Sequence, residues 1–111
     1  MFAEVKALMP QQISGKGYDM ELVLNIKAAA LDLTRTAEII LPGEIDISIN
    51  ATTGEVTDNS TLDDEYILQT IALWCDFNIG NSPTHDNSEK AYYSRKASMR
   101  TSIHYTDYGG C

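Results

Sequence analysis

The stretch that decides the fold runs from residue 19 to residue 43 and reads DMELVLNIKAAALDLTRTAEIILPG. Its apolar residues recur at alternating spacings of three and four, which places them on one stripe of an α-helix. The stripe consists of Val23, Ile26, Ala30, Leu33, Ala37 and Ile40. We expect Asp19 to cap this helix, with Tyr18 and Val23 as a hydrophobic staple. Pro42 and Gly43 are expected to end it.

A second apolar strip lies beside the first on the same predicted helix. It consists of Leu24, Ala28 and Leu31. Two apolar strips on one helix predict contacts with protein on more than one side. The helix is therefore either central in its own chain or part of a subunit interface.

Another helix is predicted to begin near residue 61. Thr61 is a candidate cap, and Asp63, Asp64 and Glu65 place negative charge at the positive end of the helix dipole. Two adjacent apolar lines follow, one through Ile67, Ile71, Trp74 and Asn78 and the other through Leu68, Ala72, Cys75 and Ile79. This pattern predicts a helix with a broad apolar face that ends at residues 80–81.

A short helix is predicted at the start of the chain, and a last helix near its end. Residues 2–9 have helical spacing until Pro10 interrupts them. Asp86 and Glu89 are spaced as a capping pair for a last helix that reaches about residue 102, with Tyr92, Met99 and Ile103 on its apolar line. Its other face carries the basic residues Lys90, Arg95, Lys96 and Arg100. We interpret this face as solvated, with a phosphate-binding patch as the less favoured alternative.

The period changes between residues 44 and 58. Ile45, Ile47 and Ile49 alternate with polar residues, as in a half-buried strand. Residues 51–54 are a candidate turn, and residues 55–57 can return as a second strand. An isolated hairpin is marginal in water, so its apolar face needs a partner, either in its own chain or on a neighbouring subunit.

These elements predict a mainly α fold, a small bundle of three to four helices with an inserted β-hairpin or extended arm. We expect a single domain over residues 1–111, with the arm at about 44–58 and a tail at about 105–111. The tail carries Tyr105 and Tyr108. Tyrosine is enriched at protein interfaces, so the tail is a candidate contact with a partner.

The composition is acidic. Sixteen Asp and Glu residues oppose eight Lys and Arg residues among 111, which gives a formal net charge of −8. Such a chain has no generic attraction to the phosphate backbone of nucleic acid. The sequence contains neither a secretory signal pattern nor an apolar run long enough for a bilayer, so we expect a protein made in the cytoplasm with no membrane partner.

The residue types that carry chemistry are scattered. His85 and His104 lack metal-ligand spacing to each other or to a cysteine or acidic residue. Cys75 falls on an apolar helical line and Cys111 ends the sequence, and we expect both to be free thiols. No phosphate-binding loop or nucleophile motif occurs. The sequence therefore predicts no catalytic residue, no metal and no cofactor. A small hydrolase or a nucleotide-binding enzyme is the least favoured function.

Residues 20–105 resemble the head-to-tail connector family of long-tailed phages. The resemblance rests on Leu24-x-x-Lys27-Ala28-Ala29-Ala30-x-Asp32-Leu33, on Asp64-x-x-Ile67 with Ile71-Ala72, on Phe77-x-x-Gly80-Asn81 and on Tyr92-x-x-x-Lys96-x-x-Met99-x-x-Ser102. These motifs are packing patterns and carry no chemistry of their own.

The resemblance implies a homo-oligomeric ring beneath the portal protein, located in the virion at the head-tail interface. Such a ring extends the DNA channel and recruits the next head-completion or tail protein, while double-stranded DNA passes without specific binding. The subunit interface would then include Ile45, Ile47, Ile49, Leu24 and Leu31. Tyr105 and Tyr108 would dock on the portal or another partner, and Asp46, Glu55 and Asp58 would face the channel.

An acidic DNA mimic, or another small phage regulatory binding protein, is the alternative function. That interpretation requires carboxylates along one surface at phosphate-like intervals. In this sequence they are distributed over helix starts, the arm and loops.

Overall fold

The computed structural model describes residues 1–9, 18–79 and 85–101, and within these ranges the chain forms four helices and one β-hairpin. The elements are α1 (Phe2–Leu8), α2 (Asp19–Thr36), β1 (Ile47–Ile49), β2 (Val56–Asp58), α3 (Glu65–Asn78) and α4 (His85–Arg100). The predicted fold class, a small helical bundle with an inserted hairpin, is confirmed.

Helix α3 is the centre of the bundle and packs against α1, α2 and α4. Ile67, Ile71 and Cys75 on its inner side are fully buried. The cap of this helix is Asp64, whose carboxylate accepts a hydrogen bond from the Ile67 amide at 3.0 Å. The predicted cap, Thr61, is wrong: its hydroxyl accepts a hydrogen bond from the Glu44 amide at 2.8 Å, and so ties the arm to the start of α3.

Helix α2 differs from its prediction at both ends. No side chain caps its start, because the cap position is Tyr18 and Asp19, the predicted cap, is the first residue inside the helix. The Asp19 carboxylate instead accepts a hydrogen bond from Lys6 Nζ of α1 at 2.8 Å. The helix ends at Thr36, six residues before Pro42, because Glu38 adopts a left-handed φ of 55°. The chain therefore turns away, and Ile40 is exposed instead of extending the predicted stripe.

The hairpin packs on its own chain. Strands β1 and β2 are antiparallel, with Ile47 opposite Asp58 and Ile49 opposite Val56. Gly54 supplies the positive φ of 73° that the turn requires. Ile47 is buried in the core, which it shares with the inner side of α2, and Ile49 packs at the edge of the same core. The apolar face of the arm therefore has its partner within the chain.

A close backbone contact fixes the segment between α2 and the hairpin. A β-carbon on Gly43 would lie 2.7 Å from the Leu62 Cα atom, closer than side chains tolerate. Glycine at this position therefore lets the segment lie directly against the residues that precede α3.

Helix α4 packs along α3 through Tyr92 and Met99, which are both buried. Asp86 lies in the first turn of α4, after the helix start, and the residue before the helix lies outside the described residues. So do Ile103 and the predicted end of this helix. None of the described helices combines the length and apolar character needed to cross a bilayer.

Candidate functional site

One face of α2 presents apolar side chains to solvent. The face, here called the α2 outer face, consists of Met20, Leu24, Lys27, Leu31 and Arg35, whose spacings of four and three align them along the helix. Met20 is 47% exposed, Leu24 61% and Leu31 52%. Lys27 and Arg35 are also exposed. The outer face is therefore an apolar strip with two cations.

Exposed large apolar residues are concentrated near this helix. In the described part of the chain, Tyr18 and Ile40 flank α2, and only Leu8 and Tyr93 lie elsewhere. Single exposed apolar residues are normal on a soluble protein, but a contiguous strip marks a contact surface. The outer face is therefore the candidate interaction surface.

A groove adjoins the outer face on the side of the hairpin. It has a volume of about 540 Å³ and separates α2 from the segment that leads into β1. Its lining residues are Lys27, Ala30, Leu31, Thr34, Leu41, Gly43, Glu44 and Ile45. Lys27 and Leu31 belong to both features, so a partner on the outer face can also enter this groove.

A second groove, here called the acidic groove, lies between α1 and the start of α3 and has a volume of about 360 Å³. Its lining residues are Glu4, Ala7, Leu8, Asp63, Glu65 and Leu68. Three carboxylates therefore surround an apolar floor. This groove shares no residue with the α2 outer face.

Asp32 joins α2 to α4. Its carboxylate accepts hydrogen bonds from Tyr92 Oη at 2.5 Å and from Lys96 Nζ at 2.9 Å. The Thr36 hydroxyl lies 3.3 Å from the other carboxylate oxygen. These contacts anchor the side of α2 next to the outer face to α4.

The contacts of Asp32 also set its ionisation. Partial burial by itself raises the pKa of Asp32, but the hydrogen bonds from Tyr92 and Lys96 outweigh it, so the pKa lies below its usual value. Burial, followed by the hydrogen bond to Asp32, raises the pKa of the Tyr92 phenol far above its usual range. Asp32 is therefore ionised and Tyr92 neutral at pH 7.

Two further carboxylates accept hydrogen bonds from other groups of the same chain. Asp76, which is fully buried on α3, accepts a hydrogen bond from the Ser88 hydroxyl of α4. Asp58 accepts from the Met1 amino group at 2.8 Å, from the Phe2 amide at 2.7 Å and from the Ser60 amide at 3.0 Å. These bonds outweigh the effect of partial burial, which raises the pKa of Asp58, and they hold that pKa far below its usual range.

The interface residues predicted from the sequence divide into two groups. Leu24 and Leu31 are exposed on the outer face, as a subunit contact requires. Ile47 is 2% exposed within its own core, so it is not accessible to a neighbouring subunit. Ile45 and Ile49 are partly buried against the same core.

The acidic residues predicted to face a channel also divide. Asp46 and Glu55 are exposed on the hairpin. Asp58 is 20% exposed, and its carboxylate forms an ion pair with the Met1 amino group at 2.8 Å. Tyr105 and Tyr108, the predicted docking residues, lie outside the described residues.

The basic face of α4 is only partly solvated, which corrects its interpretation. Lys90 and Arg100 are exposed. Lys96 pairs with Asp32, and the Arg95 guanidinium lies 4.7 Å from the centre of the Tyr66 ring on α3. Two of the four cations therefore hold α4 against α2 and α3, since each has a partner on another helix.

The described side chains that could act in catalysis or bind a metal lie apart in the structure. Cys75 is buried without a disulfide, and burial raises the pKa of its thiol far above the usual range. His85 is exposed and lies 3.0 Å from the Asp86 carboxylate. Across residues 1–9, 18–79 and 85–101, no three His, Cys, Asp or Glu side chains are grouped as metal ligands would be.

The sequence interpretation missed part of both surfaces. Met20 and Arg35 extend the Leu24–Leu31 strip by one helical turn at each end, so extrapolating the spacing would have found them. The acidic groove has no such pattern, because Leu8 and Asp63 meet only through the packing of α1 on α3.

Comparison with known protein families, characterised proteins and solved structures finds no match for this chain.

Proposed function

We propose that the chain is a structural subunit of a phage head-to-tail connector, which forms a ring beneath the portal protein and extends the DNA channel. The observation that carries the proposal is the α2 outer face, an apolar strip that has no partner within the described part of the chain, on a helix that Asp32 anchors to α4. A ring subunit needs such a surface, because each copy must bind its neighbours without unfolding.

The way that α2 is held supports this role. Asp32 binds Tyr92 and Lys96 on the side next to the outer face, while Ile26 and Leu33 are buried on the opposite side. Exposed leucines on a fixed helix keep one geometry, which lowers the entropy cost of association. The outer face therefore suits repeated contacts of one shape.

The charge of the chain supports passage of DNA without binding. The formal net charge is −8, and Asp46 and Glu55 are exposed on the hairpin. A channel wall of this sign repels phosphate and gains nothing from counterion release. The resemblance in residues 20–105 supplies the portal and the downstream head-completion or tail protein as partners.

The DNA-mimic alternative is less well supported. Asp19, Asp32, Asp58 and Asp76 are each engaged by a donor of their own chain. Those carboxylates are therefore not available to imitate phosphates along one surface.

The proposal is tested by native mass spectrometry and sedimentation of the full chain, alone and with the portal protein of the phage that encodes it. We expect ring-sized assemblies on the portal, and we expect Leu24→Glu to abolish them. Ile40→Glu is the matched control, because Ile40 is 56% exposed but lies outside the outer face. A wild-type chain that stays monomeric and does not bind the portal would overturn the proposal.

A further inference from the structure

We propose that copies of the chain associate head to tail, with the α2 outer face of one copy seated in the acidic groove of the next. This inference rests on the proposed ring for its biological setting. It goes further by naming the two surfaces that meet and the charges that orient them.

The outer face is locally basic on an acidic chain. Lys27 and Arg35 lie among its apolar side chains, and neither forms an ion pair with any described residue. Three exposed glutamates border the face, namely Glu21 near the start of α2, Glu38 three residues after Arg35, and Glu44, which lines the adjoining groove together with Lys27. The five residues of the face itself carry two positive charges and no negative one, while the chain as a whole has a formal charge of −8.

The acidic groove has the complementary character. Asp63 and Glu65 are exposed at its edge, and the Glu4 side chain is 59% exposed although it contacts the Met1 amino group at 2.7 Å. Leu8 and Leu68 supply apolar surface between these carboxylates. Leucines that meet leucines, with cations opposite carboxylates, give both affinity and register.

Because the two surfaces share no residue, their pairing leaves one of each free at the ends of any dimer. Such a heterologous contact continues until a ring closes or a filament forms. The competing arrangement is a symmetric pair of outer faces. Glu21 could then meet Arg35 of the other copy, but Lys27 would lie near its own equivalent across the twofold axis.

The size of the contact predicts weak association. An 18-residue helix is roughly 27 Å long and 10 Å wide, so α2 alone covers on the order of 300 Å². A stable interface buries about 800 Å² on each partner. We therefore expect concentration-dependent assembly that the portal promotes by holding the subunits together.

The experiment reverses charge on each surface in the full chain. The face variant is Lys27→Glu with Arg35→Glu, and the groove variant is Asp63→Lys with Glu65→Lys, which leaves the Asp64 cap in place. Sedimentation velocity over a concentration series measures self-association, alone and on portal rings. Thermal unfolding checks that each variant is folded. Lys90→Glu with Arg100→Glu is the matched control, since both residues are exposed on α4.

We expect each reversed variant to associate at least about tenfold more weakly than wild type, because like charges then meet at the contact. An equimolar mixture of the two variants, and the chain that carries all four substitutions, should recover association to within about threefold of wild type. The control should equal wild type.

Wild-type association by the groove variant would overturn the inference in favour of the symmetric pair. Failure of the fourfold variant to recover would also overturn it. Rings on the portal that are equally insensitive to all the reversals would refute these surfaces and leave the connector function standing. A wild-type chain that assembles head to tail but does not bind the portal would refute the connector function and leave the two surfaces standing.

Discussion

The two faces of α2 contain the same residue types in opposite environments. Leu22 and Leu33 on the inner face are fully buried against the rest of the chain, whereas Leu24 and Leu31 on the outer face are 61% and 52% exposed. Helical periodicity detects both strips equally well. The difference teaches that apolar spacing identifies a helix and its faces, but the packing of other elements decides which face becomes core.

The inner face has partners that the outer face lacks. Ile26 and Leu33 share a core with Ile71 of α3 and Ile47 of β1. Burial of such side chains drives folding, while exposed leucines contribute almost nothing to the stability of one chain. The outer face therefore acts, on our proposal, only when a second protein covers it.

The largest expected effect contrasts two leucines on the same helix. Leu33→Ala should lower the free energy of unfolding by about 3 kcal/mol, because it leaves a cavity at a fully buried position. Leu31→Ala should change it by less than about 0.5 kcal/mol. Urea denaturation of both variants at low protein concentration measures the difference. Equal losses would mean that the outer face is covered within the chain.

Asp32 gives the next largest effect, since it lies between the two faces. Asp32→Asn should lower the free energy of unfolding by about 2 kcal/mol at pH 7, because Lys96 loses its partner in a partly buried site. Glu21→Gln is the control, since this carboxylate is exposed on the same helix. An Asp32→Asn variant as stable as wild type would show that the contact between α2 and α4 contributes nothing.

The contact of Asp32 with Tyr92 and Lys96 also predicts that the stability of the chain depends on pH. The pKa of Asp32 is lower in the folded chain than in the unfolded chain, so the folded chain binds a proton less readily. The contribution of ionised Asp32 to the stability of the folded chain is therefore complete above a pH of about 4, the ordinary carboxyl pKa. It is lost as the pH falls through the lower pKa of the folded chain. We expect the difference in free energy of unfolding between wild type and Asp32→Asn to be smaller in acid. Urea titrations at pH 7 and pH 3 would measure it.

Much of the fold follows from local pattern. The alternation of Ile45, Ile47 and Ile49 predicts the hairpin, and the spacing of Ile67, Ile71 and Trp74 predicts α3. The ends of α2 could not be predicted. At its start, Asp19 accepts a hydrogen bond from Lys6 of another helix, and beyond its end Glu38 adopts a left-handed conformation. Local rules contain neither a distant partner nor a backbone turn that tertiary packing imposes.

The candidate surfaces were predictable to different extents. Leu24 and Leu31 follow from spacing alone, although spacing does not show whether they are buried. The acidic groove depends on how α1 lies on α3, which brings Leu8 next to Asp63 across more than fifty residues. The proposed pairing of the two surfaces depends partly on carboxylates that only the folded chain groups together, since Glu4 of α1 meets Asp63 and Glu65 through tertiary packing.

The smallest expected effect is a concentration dependence of the melting temperature Tm that comes from association through the outer face. Association that favours the folded chain adds about 1 kcal/mol of stability when the concentration rises from Kd to ten times Kd. For a chain of this size that corresponds to roughly 4 °C in Tm. Leu24→Ser with Leu31→Ser should remove this rise and leave the low-concentration Tm unchanged.

Leu33→Ala provides the opposite behaviour. It should lower Tm at every concentration but keep the rise with concentration, because its outer face is intact. Calorimetric scans at several concentrations compare the three chains. If the double serine variant kept the wild-type rise, association would lie elsewhere on the molecule. If Leu33→Ala lost the rise, the geometry of the outer face would depend on inner packing, and the two faces of α2 could not be assigned separate roles.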